Sequence, residues 1–489
     1  MMQVIVILIL ASSAMHDGLP ADGAAPTEGA ALLMMAPFVV LAMANDAWQR
    51  RCARVLDRTG RSRTVASADA MMSVVRWGAV AVHLINVFWL GWVGVVRSAV
   101  GEMVLVDDLA ASAPALLTIA AAWWSHYPVE RRVRDARFFG ALERGETIYP
   151  PRTRWQYVGD QARHSMLFAL APMSLILGWS ECVGLAEGAW GPALERRLGG
   201  ADAVADVAAA ARVAGALGVF ILSPALLRRV WDTAPLGAGR LREELLRMCA
   251  RQRVRVRDLL VWRTHGTMIN GAVMGLIPRV RYILLTDALL DSLGEEQVEA
   301  VLAHELGHVR RRHIPWLAAA MLVAIAMSAT IGGFLAALAE WAGPGGSAAS
   351  AGLAEYADLA PLAMLPIAVM AVGGVSRRFE RQADAFAVAH LSGLTAERGS
   401  AKGKSATREA VAAMASALRA VAVLNGVPLR RRFWRHGSLQ GRIDAIERLE
   451  GAPLDRLPPD RAARRDMVAG AVGLMVLAGV AASGLAMVR

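Results

Sequence analysis

The chain has 489 residues, of which 55% are hydrophobic, with fourteen tryptophans and a formal net charge of +11; its mean hydropathy is +0.39. That composition excludes a single soluble domain, because apolar runs long enough to cross a bilayer, about 20 residues each, recur along it. It also argues against a nucleic-acid partner, since the excess arginine flanks those runs, where orientation of the spans and contact with anionic headgroups account for it.

In chain order, the opening MQVIVILILASSAM is apolar but short for a span and lacks the basic stretch that opens a secretory signal, so it reads as a weak signal, an extra span or an over-long start. Spans are predicted near 30–47, 77–96, 109–126, 165–186 and 205–227, which makes a membrane section of 1–227. A first soluble segment follows at 228–313, then a section of 314–375 with spans at 314–339 and 356–375. A second soluble segment occupies 376–466, and a last span at 467–487 lies within 467–489. The expected count is about eight. Arg50, Arg51, Arg54, Arg58, Arg61 and Arg63 follow the first span, Arg131, Arg132, Arg134 and Arg137 follow the third, and the loop between the second and third carries Glu102, Asp107 and Asp108. Positive charge collects on the cytoplasmic side, so both soluble segments are expected to face the cytoplasm of a bacterial inner or cell membrane. Cys52, Cys182 and Cys249 lack paired spacing, and neither a disulfide nor a cysteine metal site is expected.

Within the first soluble segment LREELLRMCARQ (241–252) has helical spacing, while RVRVRDLLVW (253–262) and RVRYILLT (279–286) alternate like strands. Between them INGAVMGLIP (269–278) reads as a turn or an irregular edge. EEQVEAVLAHELGHVRRRH (295–313) then reads as one helix, opened by Glu295, Glu296 and Glu299 and closed by Arg310, Arg311 and Arg312, which complements its dipole. So many charges are costly in hydrocarbon, which puts this helix at the membrane surface or in a water-filled chamber.

That helix carries His304-Glu305-Leu306-Gly307-His308. Histidines four apart share a helix face and can aim ring nitrogens at one ion, with Glu305 beside them to take a proton from water and pass it to a leaving amine. The competing reading is a charged helix without metal. A catalytic zinc, one per chain, needs a third protein ligand. The three-histidine pattern requires Gly at 311 and His at 314, where this chain has Arg311 and Ile314. SRRFERQADAFA (376–387) instead sets Glu380 and Asp384 one helical turn apart, the first to ligate and the second to accept the other N–H of a ligand histidine, unless the pair is a solvated face. His313 falls half a turn out of phase with His304 and His265 has no partner spacing, so both are expected not to ligate.

INGAVMG (269–275), LLTDALLDSL (284–293), AVLAHELGHVRRRH (300–313), SRRFERQADAFA and RHGSLQGRI (435–443) together resemble the gluzincin membrane metallopeptidases that include HtpX and the type I CAAX prenyl proteases, over about residues 240–450. The resemblance implies that His304, His308 and Glu380 hold zinc, that Glu305 is the catalytic base, that Asp384 orients a ligand, and that the strand near Asn270 pairs with an extended substrate. It suggests that His436 and Arg442 reach the oxyanion of the tetrahedral intermediate; a surface histidine and a structural arginine is the other reading. Asn270-Gly271 stands where the family usually has Asn-Ala, and His436-Gly437 where it has His-Pro, which loosens the backbone that aligns substrate.

The expected fold is mostly α, a multi-pass transmembrane protein with a small α+β metallopeptidase domain. The expected function is a zinc endopeptidase acting on membrane-associated or misfolded polypeptides, with the lipid bilayer and a polypeptide substrate as partners. Processing of a specific lipidated or membrane peptide is the alternative within the same chemistry. A catalytically silent scaffold has no need of His304, Glu305, His308 and Glu380 together, and a transporter, which needs ionisable residues facing a pathway between spans, has thin support in Asn86 and Glu181.

Overall fold

The computed structural model describes residues 2–14, 28–101, 103–144, 149–198, 200–321, 323, 370, 372–397 and 399–487. Most of the spans predicted at 314–339 and 356–375 lies outside the described residues. The chain divides into two compact units, Met1–Asp232 and Thr233–Arg489.

The first unit is helical: α1 (Met2–Ala14), α2 (Glu28–Thr59), α3 (Ser62–Phe88), α4 (Trp92–Val100), α5 (Val106–Arg144), α6 (Arg154–Gln161), α7 (Phe168–Leu198) and α8 (Ala201–Val230). Among the described residues five helices are long and apolar enough to cross a membrane, at 31–59, 62–88, 106–136, 154–197 and 201–230. They coincide with the five leading spans, with one shift: the second spans 62–88 rather than 77–96, because the chain turns at Trp89 and Leu90 and restarts as α4. Leu32, Leu33, Trp89 and Trp190 keep 69 to 75% of their surface exposed, as side chains facing lipid do. The opening residues belong to this bundle, since Ile5, Leu8 and Ile9 of α1 are fully buried. Asn86 donates to the Met34 carbonyl at 3.0 Å and Glu181 accepts from Leu105 N–H at 2.7 Å, so both polar groups serve internal bonds.

The second unit holds a four-stranded sheet in the order β1 (Thr233–Pro235), β2 (Asp258–Trp262), β4 (Tyr282–Thr286), β3 (Gly271–Met274). β2 and β4 run parallel, and the two outer strands are antiparallel to their neighbours. RVRVR reaches the sheet only at its end, where Arg257 N–H donates to the Arg281 carbonyl at 2.7 Å, so β2 begins at Asp258; INGAVMGLIP supplies the edge strand β3 rather than a turn. Helices α9 (Arg240–Arg251), α10 (Asp287–Ser292), α11 (Glu295–Arg310), α13 (372–391), α14 (Arg408–Leu424) and α15 (Leu439–Glu447) share one core with the sheet, and α12 (313–321) follows α11. A short hairpin, β5 (Arg432–Phe433) and β6 (Gly437–Ser438), precedes α15, and α16 (Pro458–Met487) covers the last predicted span without joining the five qualifying helices. Leu259, Ile283, Leu285, Leu302, Leu306, Val388, Met414 and Ile443 make the core.

Two local features place the site. The Gln297 side chain accepts from Gly294 N–H at 3.3 Å and caps α11, whose first turn is acidic, as the dipole prefers. Gly307 lets α11 approach α13 closely: a Cβ there would lie 3.1 Å from Ala383 Cα and 3.2 Å from Phe386 Cδ1. The predicted helix of 295–313 is interrupted at Arg311 and Arg312, the latter at φ +55°, and His313 opens α12. The segment 394–409 is tied down by Ala396 N–H to the Arg251 carbonyl at 3.0 Å and Ala406 N–H to the Ala452 carbonyl at 2.9 Å, so it is better fixed than its Gly/Ser/Lys composition suggests.

Candidate metal centre

His304 and His308, one turn apart on α11, direct their Nε2 atoms to within 3.2 Å of each other. Glu380 of α13 brings its carboxylate oxygens to 3.7 Å from His304 Nε2 and 3.8 Å from His308 Nε2. One ligand atom from each of the three residues lies within 4.8 Å of the others. Tetrahedral zinc with bonds of about 2.0–2.1 Å sets its ligand atoms about 3.4 Å apart, so the three donors fit one such ion.

The remaining nitrogens are committed elsewhere, and their partners fix the tautomers. His304 Nδ1 lies 2.9 Å from Asp384 Oδ1, an acceptor, so this nitrogen carries the proton and Nε2 keeps its lone pair for the centre. The tautomer of His308 is set through four residues. Arg311 Nη2 donates to Asp460 Oδ2 at 2.8 Å, and Gln382 Nε2 donates to Asp460 Oδ1 at 2.7 Å, which turns the amide oxygen toward His313 Nε2 at 2.9 Å. His313 therefore carries its proton on Nε2 and accepts at Nδ1 from His308 Nδ1, 2.9 Å away. That leaves the lone pair of His308 on Nε2. Burial pushes His313 down to about 4, which keeps it in this neutral form, and it stacks on Phe379 at a centroid distance of 4.4 Å.

Arg442 of α15 closes the other side. It holds Asp384 at two points, Nη2 to Oδ1 at 2.6 Å and Nε to Oδ2 at 2.9 Å, and it reaches Glu380 Oε2 with Nη1 at 3.0 Å. His436 Nδ1 lies 3.0 Å from Glu380 Oε1. Burial alone would raise both carboxyls, but the His436 hydrogen bond with the Arg442 charge holds Glu380 well below the usual range, and Arg442 lowers Asp384. Burial and the neighbouring His304 push His308 well down, whereas on His304 burial is outweighed by the Asp384 hydrogen bond together with the charges of Asp384 and Glu380, and the net shift is upward. Desolvation lifts Glu305 to about 7. Its carboxylate accepts from Val273 N–H at 3.2 Å, which turns the open edge of β3 toward the centre.

The structure thus brings together His304, Glu305, His308, Glu380, Asp384, Arg442 and His436. The side chain of Asn270 joins no bond in this cluster; its backbone pairs with Thr286, N–H to Oγ1 at 3.0 Å and carbonyl to N–H at 3.1 Å. Gly437 adopts φ +75°, which a proline ring forbids, so the departure from His-Pro goes with a different turn. Gln382, two residues from Glu380 and hence off its face, and Asp460 carry no motif that marks them for this site. Asn425 was equally hidden: its side chain grips Ile269 N–H at 3.0 Å and the Ile269 carbonyl at 2.9 Å, just before β3.

Residues 235–447 match the sequence profile of Peptidase family M48. That segment is an M48 peptidase domain. The family resemblance in the five motifs is borne out over these residues, and five described helices outside them are long and apolar enough to cross a membrane. No curated protein matches it in sequence. The crystal structure of S. mikatae Ste24p is similar in fold, with a TM-score of 0.51 and 16% identity, over 86% of this chain and 100% of that one.

Proposed function

We propose that this M48 protein is a zinc endopeptidase cleaving membrane-associated or misfolded polypeptides from the cytoplasmic side, with one ion held by His304, His308 and Glu380. The observation that carries the reading is the convergence of two histidine Nε2 lone pairs and one carboxylate at spacings of 3.2 to 3.8 Å, with both Nδ1 atoms engaged away from the centre. Zinc bound there supplies Lewis acidity, polarising a carbonyl and acidifying water.

The protein's own groups do the rest. Glu305 is the general base: set near neutrality by desolvation, it takes a proton from water and returns it to the leaving amine. The outward edge of β3 at Gly271 and Val273 lies beside Glu305 and can pair with an extended peptide backbone, a mode that selects conformation before sequence. Arg442 is buried and fully occupied by two carboxylates, which favours a positioning role. The side chain of His436 is 52% exposed, so it is the better candidate to meet a substrate oxyanion. Cytoplasmic orientation rests on the arginines that flank the first and third spans.

The test is hydrolysis of an unfolded polypeptide such as casein by the purified protein beside Glu305→Gln. Cleavage by the first and not the second is expected. Equal cleavage, or none by either when zinc is bound, contradicts the proposal.

A further inference from the structure

A cavity of about 390 Å³ adjoins His308 and is lined by Arg253, Arg281, Arg310 and Arg312, with Gly275 and Leu276 at the end of β3. Four cationic side chains around one cavity repel one another, so such a site is stable in proportion to the negative charge that enters it. Among the described residues none of the four makes an ion pair with an aspartate or glutamate. Nearby arginines do: Arg242 pairs with Asp258 at 2.6 Å and Arg311 with Asp460 at 2.8 Å. Arg281 is committed to backbone carbonyls, those of Gly275 and Leu276 among them, so it stiffens the rim while Arg253, Arg310 and Arg312 remain exposed. Arg253 and Arg312 both sit at left-handed φ, +52° and +55°, where α9 and α11 end.

The position of the cavity indicates what fills it. The residues that follow β3 on its way out of the site form one wall and a candidate metal ligand forms another. A peptide paired with the edge of β3 therefore runs into the cavity a residue or more from the bond aligned with Glu305. We propose that this cavity is a specificity subsite for a carboxylate on the peptide substrate, an aspartate or glutamate side chain or the terminal carboxylate. The proposal rests on the proteolytic reading above for its choice of ligand.

The test measures binding separately from cleavage. Glu305→Gln in neutral detergent is titrated with fluorescent peptides in which one glutamate is walked along an otherwise uncharged sequence, each against its glutamine twin, and with the C-terminal acid against the amide. Carboxylate at one register is expected to tighten binding by about ten-fold or more, as for charge-assisted hydrogen bonds in a partly enclosed site. The register identifies side chain or terminus as the source. Adding Arg253→Gln and Arg312→Gln should bring the ratio within each twin pair to about one. Because the ratio is read within one preparation, a loss of folded protein cannot mimic that result. No preference at any register, a preference that survives both substitutions, or an effect confined to binding of phosphatidylglycerol liposomes overturns the subsite. Failure of the wild type to cut any peptide while the preference persists overturns the proteolytic reading and leaves the subsite standing.

Discussion

Arg442 grips Asp384 with two nitrogens, at 2.6 and 2.9 Å, and Asp384 in turn holds His304 Nδ1 at 2.9 Å, so a residue on α15 sets the orientation of a histidine on α11. The pair is buried, with Arg442 at 7% and Asp384 at 2% exposure. Removing the cation strands Asp384 and Glu380 without it. Arg442→Ala should therefore destabilise the protein by about 3–5 kcal/mol. Arg442→Lys should recover little, since an ammonium cannot make the two-point contact. Thermal unfolding of the three proteins in one detergent checks this; full recovery with lysine would mean that charge alone matters.

The chain from Arg311 through Asp460, Gln382 and His313 fixes the tautomer of His308. His313→Phe keeps the stacking on Phe379 but removes the acceptor. Zinc affinity should fall about 10- to 100-fold, as for other groups that orient a ligand histidine. Competition with a chromophoric chelator reads the change, and an unaltered affinity would show that His308 needs no such partner.

Gly307→Val tests the contact between the two ligand-bearing helices. The added Cβ would stand 3.1 Å from Ala383 Cα and 3.3 Å from its carbonyl oxygen, so α11 and α13 must separate. A loss of about 1–3 kcal/mol is expected from overpacking. Metal affinity should drop with it, because Glu380 and the histidines sit on opposite sides of that contact. A stability loss with affinity preserved would show that the site tolerates the shift.

In metal-free protein the raised Glu305 makes stability depend on pH in a defined direction. A carboxyl that ionises near 4.5 when unfolded and near 7 when folded holds its proton longer in the native state, so wild type loses stability as pH rises between those values. Glu305→Gln does not titrate. Its stability advantage over wild type should be smallest below about 4, grow from 4.5 to 7 and then level off. Chemical unfolding of both proteins across that range is the measurement, and a constant offset would mean that Glu305 is not desolvated.

The motif His304 to His308 was legible because one helical turn is a local rule, and Glu380 with Asp384 because the same rule applies on a second helix. The five leading spans were legible from apolar length, although the second slid because hydropathy does not mark where α3 turns at Trp89. His313 stays out of the metal-capable group, as expected, but its bond to His308 was hidden, because helical phase was carried through Arg312, where the backbone goes left-handed and returns His313 to His308. Gln382, Asp460 and Asn425 were invisible because their work is done across sequence separations of 69 to 156 residues, where no periodicity reaches.

His304, His308 and Glu380 are proposed to hold one zinc that Glu305 uses. Zinc content and casein cleavage measured on the same preparations of wild type, Glu305→Gln and Glu380→Ala test it most directly. About one zinc per chain with cleavage, about one without cleavage, and little zinc with no cleavage are predicted in that order. Full zinc occupancy in Glu380→Ala, or cleavage by Glu305→Gln, would contradict the account.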